Sequence, residues 1–170
     1  MNELQNELES FRKPFEQALM LLLHRWSVWS GDDEIRALNI GFDSFNTEIC
    51  VSLLTDREPG MQEQGVEPLE EPWPVGDWRL NSISSTGTHC FPDAAPLIEW
   101  MERCARDQCA GASGFSSGSF DEELKEFFYE VATGKPVLNV IKRFRRVSVP
   151  FRIRVQWFFE QSPSLEYEMR

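Results

Sequence analysis

From Val147 to Phe159 every odd position is apolar: Val147, Val149, Phe151, Ile153, Val155, Trp157 and Phe159. The even positions read Ser148, Pro150, Arg152, Arg154, Gln156 and Phe158, so one face is greasy and the other mostly polar. A period of two in β-branched and aromatic residues predicts a long strand whose odd face floors a core. Pro150 has no N–H for a ladder, so the strand is expected to lie at a sheet edge or to bulge there. A second pattern opens the chain. Leu4, Leu8, Phe11, Phe15, Leu19, Leu22 and Trp26 are spaced 4, 3, 4, 4, 3, 4 and draw one apolar stripe down a helix. Pro14 interrupts the stripe and predicts a kink, or a short arm followed by a helix from Pro14 to about Trp26.

The alternation of Leu38, Ile40 and Phe42, then of Thr47, Ile49, Val51 and Leu53, across the turn residues Asp43-Ser44-Phe45-Asn46, predicts a β-hairpin ending at Thr55-Asp56. Residues 57 to 77 lose all period and collect prolines, glycines and carboxylates, which predicts a long acidic loop. A short strand is expected from Asp77 to Ser84. A helix follows with Asp93 as N-cap and Leu97, Trp100, Met101, Cys104 and Ala105 on one face. Ala110 to Ser119 is a Gly/Ser-rich linker, and Ser119-Phe120-Asp121-Glu122 resembles a capping box for a helix that buries Leu124, Phe127, Phe128 and Val131. Val137 to Phe144 fits a short helix begun at Pro136 better than a strand, although Val137 to Ile141 alone admits either. Together these elements predict a single α+β domain over residues 1–170, with a mainly antiparallel sheet covered on one face by helices.

Composition narrows the class. One hundred and seventy residues with 41% hydrophobic positions, thirteen Phe and six Trp suffice for a core without disulfide or metal staples. The chain starts Met1-Asn2-Glu3-Leu4, unlike a signal peptide, and its longest apolar run, Ala18 to Leu23, is too short to span a bilayer. A cytoplasmic protein is expected, with Cys50, Cys90, Cys104 and Cys109 as reduced thiols. The net charge of −11 is unevenly spread. Lys135 to Arg154 holds seven bases and no acid, whereas residues 1 to 134 hold 25 acids against nine bases. Such a deficit opposes a polynucleotide partner, and the bases are expected to pair with the acidic loop.

Few residues suggest chemistry. Gly114-Phe115-Ser116-Ser117-Gly118 matches G-x-S-x-G, but it follows a helix rather than a strand, and both histidines, His24 and His89, lie upstream. His89, Cys90, Cys104 and Cys109 could be counted as zinc ligands. Cys104 and Cys109 sit about 140° apart on a helix, which is a poor knuckle. His89 with a cysteine is the best thiol-enzyme candidate, yet adjacent side chains on an extended segment point apart. No metal, cofactor or catalytic set is expected from these spacings.

Trp73-Pro74-Val75-Gly76-Asp77-Trp78-Arg79-Leu80 is the most distinctive segment. Set after a strand ending Leu53-Leu54-Thr55-Asp56 and before the helix from Asp93, it resembles the small, mostly bacterial family catalogued as domain of unknown function 4303. The likeness spans about residues 10 to 105 and leaves the basic C-terminal strand unmatched. It implies a single α+β domain without established catalytic residues and a link to bacterial toxin and immunity systems. An acidic, Trp-rich chain without a catalytic motif is also what a protein-binding protein requires. The expected function is a non-enzymatic protein-binding domain, an immunity protein that neutralises a basic toxin through an acidic surface. Glu67, Glu70, Glu71, Trp73, Asp77 and Trp78 would form that surface, with Arg152 and Arg154 as a basic border. The alternatives are an enzyme with a site near His89 and a homodimer joined along a sheet edge.

Overall fold

The computed structural model describes residues 3–58, 80–84, 94–109, 117–157 and 164–170. In chain order the elements are α1 (Glu3–Trp29), β1 (Glu34–Asp43), β2 (Glu48–Thr55), β3 (Leu80–Ser84), α2 (Ala95–Cys109), α3 (Ser117–Ala132), α4 (Lys135–Ile141), β4 (Arg146–Trp157) and β5 (Leu165–Met169). The five strands form one sheet in the order β3-β2-β1-β4-β5. Among the described residues β1 and β4 are the parallel pair, and the neighbouring pairs β1–β2, β2–β3 and β4–β5 are antiparallel. This is the α+β fold that the hydrophobic pattern predicts.

A parallel pair cannot be closed by a tight turn and needs a long crossover, which here carries α2, α3 and α4. Leu38, Ile40 and Phe42 of β1, Ile49, Val51 and Leu53 of β2, and Phe151, Ile153 and Val155 of β4 share one core with Leu19, Leu23 and Trp26 of α1 and Leu124 and Phe128 of α3. Phe128 sits at its centre. Its ring lies 5.1 Å from that of Phe15 and 5.3 Å from that of Phe42, joining α1, α3 and the central strand in one aromatic stack. The opposite sheet face is buried as well: Ala37, Asn39, Ser52 and Leu54 are all 0% exposed. Along the antiparallel pair β1 and β2 the polar positions are thus buried too, so alternation of polar and apolar residues does not mean alternation of water and core.

The hairpin turn is held by Asp43, whose buried carboxylate accepts the N–H of Phe45 and of Asn46 at 2.9 and 3.2 Å. That is the Asx geometry these turn residues favour. At the other end of β2, Glu58 accepts both the N–H and the hydroxyl of Thr55, while Asp56 accepts the N–H of Glu34.

Several expectations change. The separate arm before Pro14 is not found: α1 is one helix from Glu3 to Trp29 with Pro14 inside it, because the apolar stripe from Leu4 to Trp26 is buried along both halves and packing outweighs one lost hydrogen bond. Strand β4 is interior, between β1 and β5, so it is no border; the edges are β3 and β5. The bulge expected at Pro150 is present. Between Val147, opposite Ile35, and Arg152, opposite Ala37, β4 carries four residues where β1 carries only Arg36. The Val149–Pro150 peptide is cis in this bulge, and Val149 is 81% exposed rather than in the core floor. Helix α3 starts at Ser117, so the final residues of the Gly/Ser-rich stretch are helical and Ser119 is no N-cap. The ambiguous segment after Gly134 is the short helix α4. Strand β5 has no counterpart in the sequence reading; Leu165, Tyr167 and Met169 alternate, but only half-buried. Most of the acidic loop, the start of the strand at Asp77, the Asp93 cap and residues 110 to 116 lie outside the described residues.

Replacing Phe128 by Ala is expected to cost about 3–5 kcal/mol in urea denaturation, because three elements lose one buried ring. Val149→Ala is expected to stay within about 0.5 kcal/mol. Equal losses from both would contradict this account of the core.

Candidate functional site

Of the residues expected to meet a partner, Glu67, Glu70, Glu71, Trp73, Asp77 and Trp78 lie outside the described residues, as do His89 and Cys90. Arg152 and Arg154 are placed on β4, on the sheet face turned away from Phe151, Ile153 and Val155. Arg154 is buried, with Nε 3.9 Å from Glu166 of β5, and Arg152 is half-buried opposite Ala37 and Glu168. They are interior parts of the sheet, not an exposed basic border.

Register places Arg154 in a row that crosses all five strands: Asn81, Ser52, Asn39, Arg154 and Glu166 stand opposite one another in turn. Ser52 Oγ donates to Asn81 Oδ1 at 2.8 Å, and Cys50 Sγ approaches the same oxygen at 2.9 Å. Asn39, at the centre, is fully buried, and neither its amide oxygen nor its nitrogen is hydrogen-bonded among the described residues. Burying an amide without partners costs about 1–3 kcal/mol. Each of these residues occupies a polar position in an alternating strand. The row follows only when the strands are paired, which single-strand periodicity cannot do.

The two cysteines of α2 share no site. Cys109 is exposed in an open cleft of about 640 Å³ lined by Phe45, Thr47, Glu102 and Arg106. Cys104 is half-buried, and burial, with Glu7 and Asp107 nearby, pushes its thiol up to about 11. A nucleophilic thiol needs the opposite shift.

The arrangement with the clearest binding character lies between α1 and α3. Gln5 Nε2 donates to Glu123 at 3.1 Å and Arg12 Nη2 to Glu130 at 2.6 Å. Both rungs join residues 118 positions apart, so the two helices run parallel and in step, with rungs about 10 Å apart along the axis. Between the rungs is a cleft of about 230 Å³, floored by Leu8 and Phe127 and walled by Glu9 and Glu126. Arg12 also holds Glu9 at 2.6 Å and lies over the Phe127 ring at 5.8 Å from its centroid. The cleft therefore has four glutamates around one arginine. An apolar floor between carboxylate walls suits a lysine or arginine side chain, whose aliphatic stem packs below while its charged head meets the carboxylates. Sequence reasoning missed it, although Glu123, Glu126 and Glu130 repeat at helical spacing beside the buried stripe.

Two measurements bear on this picture. Asn39→Leu, which removes an amide without a partner among the described residues and keeps a similar volume, is expected to leave urea stability unchanged or raise it. A loss of more than about 2 kcal/mol would mean that the amide has a partner. For Cys104 the thiolate is scarce below its raised pKa, so alkylation mapped by mass should grow tenfold per pH unit up to about pH 11 and level off above it. A plateau near pH 8 would refute that shift.

Compared with family models, with curated proteins and with solved structures, the chain matches none.

Proposed function

We propose that this protein is a non-enzymatic binding protein that captures a basic protein partner, in the manner of an immunity protein neutralising a toxin. The observation that carries this reading is the α1–α3 cleft, where Glu9, Glu123, Glu126 and Glu130 surround Arg12 above an apolar floor. A net charge of −11 acts in the same direction at long range. It steers a cationic partner toward the surface, and the cleft then supplies local complementarity. Glu9 and Glu130 are already committed to Arg12, whereas Glu126 has no ion pair among the described residues and is the carboxylate open to an incoming cation. The resemblance of Trp73 to Leu80 to the domain of unknown function 4303 family supports the same reading. The acidic segment from Glu67 to Asp77 and the two tryptophans would extend the surface.

Affinity co-purification from the native host tests it. The native chain is expected to recover a basic protein, and the double variant Glu123→Lys/Glu126→Lys to recover at least about tenfold less, since two charge reversals at a contact remove several kcal/mol. Glu126 is exposed, whereas Glu123 is half-buried and bonded to Gln5, so the single variant Glu126→Lys, expected to lower recovery in the same direction, is the one that should keep its thermal midpoint. Undiminished recovery by the variant, or no basic protein with the native chain, would end the proposal.

A further inference from the structure

The opposite end of α1 has different chemistry. Leu21, Val28 and Trp29 are 58%, 71% and 65% exposed on its C-terminal half, an unusual outlay of large apolar side chains on one helix end. Val28 lies two turns beyond Leu21 on the same outward face. This end is joined to the start of β4 by Arg145, whose Nη1 meets Asp32 at 2.6 Å, and by Arg146, whose Nη1 donates to the Asp32 carbonyl at 3.2 Å. The bulge with exposed Val149 is there too, since Ser148 Oγ donates to the Arg36 carbonyl.

Charge at this end is reversed relative to the body. Its acids each hold an arginine already: Asp32 holds Arg145 at 2.6 Å, Asp33 holds Arg57 at 3.1 Å, and Glu34 and Asp56 share Arg146 at 3.2 and 3.8 Å. Arg25, Lys142 and Arg143 are exposed and have no ion pair among the described residues. Exposed aliphatic and indole side chains among unpaired cations are the composition of a surface that lies on a charged bilayer.

We propose that this end docks on an anionic lipid bilayer. Arg25, Lys142 and Arg143 meet the headgroup anions, and Leu21, Val28 and Trp29 enter the boundary between headgroups and acyl chains. A polynucleotide would satisfy the cations and leave the aliphatic side chains in water, whereas a bilayer interface accepts both. The acidic body does not prevent this. At about 1.5 Å per residue, Glu9 in the cleft lies about 30 Å along α1 from Trp29. That is more than three Debye lengths of about 8 Å at physiological salt, so repulsion orients the molecule with its acidic cleft away from the lipid rather than excluding it. Docking and capture of a basic partner use opposite ends of one helix and can occur together.

Co-sedimentation of the full chain with vesicles tests the proposal. The protein is expected to pellet with vesicles of phosphatidylcholine and phosphatidylserine, to stay in solution with phosphatidylcholine alone, and to be released by high salt. Lys142→Glu/Arg143→Glu should lower the partition at least about tenfold, since each basic residue near an anionic surface contributes a several-fold factor. Val28→Asp, which changes no existing cation, should lower it comparably. All three positions are exposed, so unchanged thermal midpoints are expected and separate lost docking from misfolding. No pelleting with either vesicle, equal pelleting with both, or variants that pellet like the native chain would overturn the proposal. Retention of DNA or of an acidic polypeptide that depends on Lys142 and Arg143, without vesicle binding, would also overturn it and assign the surface to that partner.

Discussion

The parallel pairing of β1 with β4 is the constraint on which the rest of the molecule depends. Parallel neighbours require a long connection, and the chain between β2 and β4 supplies the helices that cover the core. The same pairing sets β1 at the centre of the sheet, with β2 on its other side, and both faces of β1 are buried. It also brings the start of β1 against the start of β4, where Asp32 and Glu34 meet Arg145 and Arg146. A basic stretch that stands out in the sequence is thereby partly neutralised by acids more than a hundred residues away. Among the described residues, Lys142 and Arg143, just before the strand, are exposed and carry no ion pair, so basic character survives at this end of the molecule.

Helix α1 distributes the surface chemistry. Its inward face is one continuous apolar stripe and accounts for much of the core. Its first third faces α3 across the acidic cleft, and its last third presents Leu21, Val28 and Trp29 to solvent. One rigid element therefore separates two surfaces of opposite charge by about 30 Å, further than either field extends at physiological salt. Separation of this kind lets a basic partner and an anionic surface be met without competition between them.

The buried polar row through Asn39 is a different matter from either surface. Polar groups inside a sheet fix which residues can stand opposite one another, because a shift by one position would set Asn39 and Arg154 against the hydrophobic face. The cost of an amide without a partner among the described residues is tolerable against the large apolar burial on the other side of the same strands.

What the sequence by itself determined was local. Periods of two and of about 3.6 marked β1, β2, β4, α1, α2 and α3, because side-chain direction is a property of a single element. It also showed the charge imbalance and, through Pro150, that β4 had to be either an edge strand or bulged, of which the bulge is found. It could not show that β4 is interior, since alternation describes the faces of a strand and not its neighbours. Val149 was misassigned for a related reason: its parity is right for the core, but the bulge removes the register on which parity depends. Strand β5 is short and half-buried, so its alternation carries little signal. The acidic cleft and the reverse-face row are both contacts between residues far apart in the chain, Gln5 with Glu123 and Asn39 with Arg154, and only the packing of whole elements brings such residues together.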